Sequence, residues 1–171
     1  MQKEYIETKR LILRKFKEDD ALLMYTNWAS DPEVTKYLLW DTHSSIEETR
    51  RILKLWMKEY EDPKTNRYCI TIKGSDEPLG SIDIVRVESG VPELGYCLSK
   101  KCWNKGYMTE AVKALIEDIF KDGYEKICIC AYKDNIGSNR VIQKCGFTFI
   151  KEFKMIVKNK EVTVNYYLLE K

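Results

Sequence analysis

The stretch that decides the fold runs from Glu93 to Ile116 and reads ELGYCLSKKCWNKGYMTEAVKALI. Residues 93–98 are rich in β-forming types and predict a strand, while Gly106 opens a run whose apolar residues recur at helical spacing. The loop between them is cationic and contains Lys100, Lys101 and Lys105. Because a helix start presents unpaired N–H groups that bind phosphate, the stretch predicts an anion site at Gly106. A glycine at a helix start is more often only a turn residue, so the stretch alone leaves both interpretations open.

Size and composition limit what the chain can be. Its 171 residues, 44% hydrophobic and 33% charged, predict one globular domain spanning residues 1–171. A net charge of +2 predicts no broad nucleic-acid surface. No apolar run approaches the roughly 20 residues of a membrane helix, and the first ten residues lack the apolar core of a secretory signal. We therefore expect a cytoplasmic protein that acts through a local site.

Outward from the opening stretch, the patterns predict a mixed α/β sheet. The predicted strands cover residues 5–16, 68–72, 79–87, 93–98, 126–131, 147–153 and 162–169. The predicted helices cover residues 17–29, 32–38, 46–60, 106–122 and 138–145. This order places the cationic loop directly after a central strand.

Six cysteines raise the question of disulfides or a metal site. They stand at positions 69, 97, 102, 128, 130 and 145, with no C-x-x-C pair, and the one histidine, His43, is distant in sequence. A zinc site needs clustered ligands, so the spacing predicts reduced, buried thiols and no metal.

Five segments together make the sequence recognisable. ELGYCLSKKCWNKGYMTEAVKALI resembles the acetyl-coenzyme A binding segment of the GCN5-related N-acetyltransferases (GNAT). TKRLILRKFKEDDA, DPEVTKYLLW, HSSIEET and NIGSNRVIQKCGF are similar to the subgroup that acetylates the N-termini of ribosomal proteins. The resemblance covers nearly the whole chain. It implies an α/β GNAT fold, with a mixed seven-stranded sheet flanked by helices and two splayed central parallel strands.

The resemblance also implies where acetyl-coenzyme A binds. The family's Gln/Arg-x-x-Gly-x-Gly/Ala loop maps to Trp103, Asn104, Lys105, Gly106, Tyr107 and Met108, where Gly106 alone matches strictly and Met108 replaces a small residue. The pantetheine arm would lie between the splayed strands and pair with the backbone of Tyr96, Cys97 and Leu98.

Acetyl transfer to an amine needs a base, a polarised carbonyl and assistance to the leaving sulfur. Glu93, on the strand before the loop, is the candidate base, acting directly or through water; the plainer interpretation is an exposed carboxylate at a strand end. The tyrosine that many relatives place near the sulfur is replaced by Ile142. The resemblance to the subgroup implies that Asn135 binds the pantetheine arm and that Ser138 faces the sulfur; the alternative is that either residue only caps the following helix.

Two further residues admit a chemical role. Cys97 invites an acetyl-cysteine mechanism, but no histidine neighbours it and an apolar strand raises a thiol pKa, so we expect direct attack in a ternary complex. His43 precedes a helix, where packing is the commoner role and contact with the acceptor is the alternative.

The sequence therefore predicts an N-acetyltransferase that uses acetyl-coenzyme A and no metal. The preferred acceptor is a protein N-terminal α-amine. The alternatives are a small-molecule amine, such as a polyamine, amino sugar or antibiotic, and a non-catalytic acyl-coenzyme A sensor. The chain is expected to be a monomer or a homodimer, with neither nucleic acid nor membrane as a partner.

Overall fold

The computed structural model describes residues 3–171, which form one sheet with helices on both faces. The strands are β1 (Tyr5–Glu7), β2 (Leu11–Arg14), β3 (Arg67–Ile72), β4 (Gly80–Glu88), β5 (Val91–Leu98), β6 (Lys126–Tyr132), β7 (Thr148–Val157) and β8 (Lys160–Glu170), arranged in the order β1-β2-β3-β4-β5-β6-β8-β7. The helices are α1 (Ala21–Met24), α2 (Pro32–Thr35), α3 (Ile46–Glu59), α4 (Tyr107–Lys121) and α5 (Ile136–Lys144). The mixed α/β architecture predicted from the sequence is confirmed.

Within residues 3–171 the sheet has eight strands, so the expectation of seven was wrong. The difference lies in the first segment, which folds back on itself as β1 and β2 in antiparallel register, with Tyr5 opposite Arg14. Thr8 closes the turn, since its N–H bonds the Leu11 carbonyl at 3.0 Å and its Oγ1 accepts the Leu11 N–H at 2.9 Å. A threonine that satisfies the backbone locally competes with continued strand pairing.

The helices begin near the expected residues. Asp31 caps α2 by accepting the Glu33 N–H, and Ser45 caps α3 by accepting the Glu48 N–H. The first predicted helix is less regular, since a 3-10 turn (Glu18–Asp20) precedes α1 and a wider π turn (Tyr25–Ala29) follows it.

Two apolar clusters lie on opposite sides of the sheet. On one side, which we call the α4 face, the buried cluster combines Leu115 of α4 and Ile142 of α5 with the strand residues Leu13, Leu94 and Ile129. On the other, the α3 face, it combines Leu53 of α3 with Phe16, Trp28, Cys69 and Cys97. Alternate residues of β5 therefore point to opposite faces, as in any strand.

The parallel strands β5 and β6 separate along their length. Only Glu93 with Cys128 and Leu94 with Ile129 are paired between them, although β5 continues to Leu98 and β6 to Tyr132. Each strand stays paired on its other side, β5 with β4 and β6 with β8. The result is a gap beyond Leu94 that opens toward the loop leading into α4, as the expected splay requires.

Candidate active site

The loop between β5 and α4 has a backbone suited to an anion. Asn104 and Gly106 both adopt left-handed conformations, with φ of 59° and 77°. No side chain caps α4, whereas Asn135 caps α5 and Ser45 caps α3. The first N–H groups of α4 are therefore left to bind a ligand, with the positive end of the helix dipole behind them. Met108, which replaces the small residue of the family loop, is 5% exposed and packs into the core, so its side chain leaves the loop surface clear.

A group of hydrogen bonds among Thr8, Arg10 and Glu110, which we call the brace, connects the β1–β2 turn to this loop. It was not predicted from the sequence. Glu110, in the first turn of α4, accepts hydrogen bonds from Thr8 Oγ1 at 2.6 Å and from the Arg10 N–H and Nε at 2.7 Å. Arg10 in turn donates to the Lys105 carbonyl at 2.9 Å and lies 4.6 Å from the Tyr107 ring centroid. Burial would raise the pKa of Glu110, but the bonds from Thr8 and Arg10 outweigh it and hold that pKa below its usual value. The residues that form it are visible in the sequence as the segment TKR and Glu110, but about 100 residues separate them.

The loop lysines are largely compensated by acidic neighbours. Lys100 pairs with Glu33 at 3.0 Å, and Lys101 pairs with Glu77. Lys105 Nζ donates to the Lys101 carbonyl at 2.8 Å and has no carboxylate partner among the described residues. An anion bound here would therefore be held by backbone N–H groups more than by the three lysines together.

The β5 backbone meets the gap at Tyr96 and Leu98. Ser99 N–H bonds the Leu79 carbonyl on the β4 side, and backbone groups alternate sides along an antiparallel strand. Cys97 consequently directs its polar groups to β4, where its carbonyl fills the space that a Cβ on Gly80 would need. Tyr96 and Leu98 face the gap, but the Leu98 carbonyl already accepts the Trp103 indole N–H at 2.8 Å. Of the three residues expected to pair with pantetheine, Tyr96 offers both backbone groups and Leu98 its N–H.

The start of α5 carries Asn135 and Ser138, the two residues expected to contact the pantetheine arm and the sulfur. The Asn135 side chain accepts the Ser138 N–H at 3.2 Å, so Asn135 is the helix cap and Ser138 is not. Ser138 Oγ instead lies 2.9 Å from the Tyr96 hydroxyl, across the gap between β5 and the helix after β6. Ile142 is fully buried in the core and cannot supply a proton.

On the α3 face, Glu93 is held by an arginine. Its Oε2 accepts hydrogen bonds from Arg86 Nε at 2.8 Å and Nη2 at 2.7 Å, and its side chain is 16% exposed. Glu93 is thus a fixed carboxylate beside the last paired residues of β5 and β6, rather than a free strand-end group.

Asp83 is a second carboxylate on this face, and sequence reasoning did not single it out. It stands opposite Gly95 in the β4–β5 register and pairs with Arg67 at 2.9 Å. Burial raises the pKa of Asp83 to about 6, against the opposing effect of Arg67. The Arg67 guanidinium also stacks 4.4 Å from the Trp56 ring centroid, which ties α3 to the sheet. The available signal was an aspartate between two isoleucines in the predicted strand segment SIDIV.

The cysteines and the histidine have packing roles in this structure. All six cysteines are free thiols, and burial raises the pKa of Cys97 to about 11 and that of Cys130 to about 12. His43 is 6% exposed, and its Nδ1 lies 2.7 Å from Thr49 Oγ1 at the start of α3. Burial lowers its pKa, which favours a neutral ring. Within residues 3–171, no cluster of His, Cys, Asp and Glu is arranged to hold a metal ion, and no helix is long and apolar enough to cross a bilayer.

Comparison with known proteins agrees with this geometry. The family model described as "Acetyltransferase (GNAT) domain" matches residues 10–148. An "Uncharacterized N-acetyltransferase p20" of Bacillus licheniformis is 34% identical over 116 residues, which are 67% of this chain and 65% of that protein. The chain therefore belongs to the GNAT family, whose members are acetyl-coenzyme A-dependent N-acetyltransferases.

Solved structures have the same fold over nearly the full chain. A GNAT-family acetyltransferase from Bacillus anthracis is 25% identical, with a TM-score of 0.85 over 97% of this chain and 98% of that one. The structure described as "RimL- Ribosomal L7/L12 alpha-N-protein acetyltransferase in complex with Coenzyme A" is 22% identical, with a TM-score of 0.87 over 98% of both chains. At that identity the likeness to RimL establishes the fold alone.

Proposed function

We propose that this enzyme transfers the acetyl group of acetyl-coenzyme A to a protein N-terminal α-amine, by direct attack in a ternary complex. The observation that supports the use of acetyl-coenzyme A is the uncapped start of α4 beside the gap between β5 and β6. A pyrophosphate on the N–H groups of residues 106–108 would leave the rest of a bound coenzyme A free to run along β5.

Acetyl-coenzyme A supplies the acetyl thioester, and the residues of this chain bind and orient it. The Tyr96 N–H and C=O and the Leu98 N–H face the gap and can pair with pantetheine amides. Asn135 and Ser138 bound the gap on the β6 side. Cys97 takes no covalent part, because a buried thiol with a pKa of about 11 is almost entirely protonated at neutral pH.

The acceptor would approach from the α3 face, on which Glu93 and Asp83 lie. An α-amine has a pKa near 8, so about a tenth of it is neutral at pH 7 and a single positioned carboxylate suffices to take the proton. The neutral amine attacks the thioester carbonyl, and as the C–N bond forms the nitrogen loses one proton to Glu93 or to a water beside it. As the C–S bond breaks, its electron pair stays on sulfur, and the thiolate takes up one proton from solvent. The neutral amine and the thioester thus become an amide and a thiol with no net change in protons.

The choice of a protein N-terminus rests on the resemblance of NIGSNRVIQKCGF to the ribosomal subgroup. The structural likeness to RimL is in keeping with it. A small-molecule amine would be favoured by an acceptor surface rich in unpaired carboxylates. Here Glu93 is engaged by Arg86 and Asp83 by Arg67, which leaves little uncompensated negative charge for a polycation.

Thiol release from acetyl-coenzyme A, measured with a panel of acceptors, tests the proposal. Peptides with free N-termini should be acetylated with higher kcat/KM than polyamines, amino sugars or the same peptides with blocked N-termini. A higher kcat/KM for a small amine would instead favour the small-molecule acceptor. Tight coenzyme A binding without thiol release for any acceptor would favour the sensor.

A further inference from the structure

We propose that Tyr96 is a positioning residue, whose phenol donates a hydrogen bond to Ser138 Oγ and so directs the serine's own hydroxyl proton into the gap between β5 and β6. The inference deepens the proposed function and rests on it, because it assigns how the side chain beside the leaving sulfur is oriented. Tyr96 enters the expected site through its backbone; the role assigned here belongs to its hydroxyl.

The contact bridges the two elements that the splay separates. Tyr96 lies two residues beyond Leu94, the last β5 residue paired with β6, and Ser138 lies in the first turn of the helix that follows β6. Their hydroxyl oxygens are 2.9 Å apart, a normal O–H···O distance. The phenol packs against the apolar cluster of the α4 face, which fixes its ring.

At 2.9 Å either hydroxyl can be the donor, and the proposal assigns that role to Tyr96. The other acceptor near the phenol, the Ser138 carbonyl, lies 3.3 Å away, beyond the usual O–H···O range, so the Tyr96 proton is assigned to the nearer Oγ. A serine hydroxyl has one proton and two lone pairs. With one lone pair accepting from Tyr96, and no other partner for Oγ among the described residues, the Ser138 proton is free to point into the gap.

The phenol orients the serine but does not act as an acid. Burial raises the pKa of Tyr96 above its ordinary value of about 10, only partly offset by the bond with Ser138. A coenzyme A thiol is comparable to a cysteine, with a pKa near 8.5, so proton transfer from Tyr96 to the thiolate would run uphill. A neutral donor that holds Ser138 in one rotamer fits these values. The N-terminus of α5 adds a positive field where charge on sulfur would develop.

The most direct readout is the pKa of the thiol of bound coenzyme A, followed by the ultraviolet absorbance of the thiolate. A hydrogen bond donated by Ser138 should lower that pKa by about one unit relative to free coenzyme A. Ser138→Ala should abolish the lowering, and Tyr96→Phe should reduce it by about half. The matched control is Tyr167→Phe, which removes a buried phenol bonded at 2.7 Å to Asn139, the residue after Ser138. It should lower thermal stability as much as Tyr96→Phe and leave the thiol pKa unchanged.

A kinetic cycle gives the second readout. Tyr96→Phe should lower kcat about three- to tenfold with unchanged coenzyme A affinity. In a Ser138→Ala background the same change should have no further effect, because Tyr96 acts through Ser138. The inference would be overturned if the two substitutions lowered kcat independently, or if Tyr96→Phe left the thiol pKa unchanged. Either result would leave the proposed acetyl transfer intact. Failure of the parent protein to bind coenzyme A would instead refute the proposed function.

Discussion

The two faces of β5 are built in different ways. On the α4 face, the expected cofactor groups are backbone N–H and C=O groups, fixed by left-handed residues and an uncapped helix. On the α3 face, the candidate groups are charged side chains fixed by partners from other strands, Glu93 by Arg86 and Asp83 by Arg67. A site made of backbone tolerates changes in side-chain chemistry, as Met108 illustrates, whereas a site made of ion pairs does not.

The largest expected effect falls on the α3 face. Arg67→Ala leaves Asp83 buried without its partner, which should lower the free energy of unfolding by about 3 kcal/mol at pH 8. The effect should be smaller at pH 5. The pKa of Asp83 is raised in the folded protein, so its contribution to stability is greatest at low pH and is lost as pH rises from about 4 through about 6. Without Arg67 that pKa rises further. Urea unfolding at both pH values measures the difference.

The control for this prediction is an exposed pair of similar geometry. Lys154 and Glu161 are 2.8 Å apart with side chains 68% and 59% exposed, so Lys154→Ala should change stability by no more than about 0.5 kcal/mol. Coenzyme A affinity of Arg67→Ala should equal that of the parent. A loss of affinity in the folded variant would show that the two faces are not independent.

The next effect concerns the α4 face and its left-handed glycine. Gly106→Ala forces a side chain onto a residue with φ of 77°, which should distort the loop and weaken coenzyme A binding about tenfold. Gly90→Ala is the matched control, because Gly90 has φ of 79° in the β4–β5 turn with open space around it. Calorimetry and thermal melts on both variants separate strain from binding. Equal affinity in both would place the pyrophosphate elsewhere.

The sequence predicts local features well because they depend on neighbouring residues. The loop at Gly106, the starts of α2 and α3, and the strand leading to the loop were all visible as short patterns. The strand break at Thr8 was not, because alternation alone does not distinguish one long strand from two paired short ones. The partners of Glu110 and Asp83 lie 100 and 16 residues away, and nothing local specifies them.

A smaller effect is expected at the brace behind the loop. Glu110→Gln keeps the shape but replaces an acceptor of the Arg10 Nε bond with a donor, which should free Arg10 from the loop. Coenzyme A affinity should fall about fivefold, on the order of 1 kcal/mol. Glu117→Gln, on the same helix and 72% exposed, should have no effect. Identical titrations for the two variants would mean that the brace does not shape the site.

The smallest effect is expected at Cys97. Cys97→Ala removes a small buried side chain 3.4 Å from Ser81 Oγ and should keep turnover within a few-fold of the parent. Mass spectrometry of enzyme quenched during turnover should detect no acetylated protein. A covalent acetyl-enzyme that is present in the parent and absent from the variant would overturn direct attack.

Single-turnover rates of Ser138→Ala and Glu93→Gln across pH test most directly whether the two faces assist different steps, the departure of the sulfur and the deprotonation of the amine. If Ser138 assists the leaving sulfur as proposed, its loss should lower the rate by roughly 10- to 100-fold at every pH, with coenzyme A binding intact. If Glu93 takes the amine proton as proposed, the defect of Glu93→Gln should shrink as pH rises past about 8, where an α-amine deprotonates unaided. If Ser138→Ala turns over at the parent rate, or if the Glu93→Gln defect is the same at all pH values, the account is contradicted.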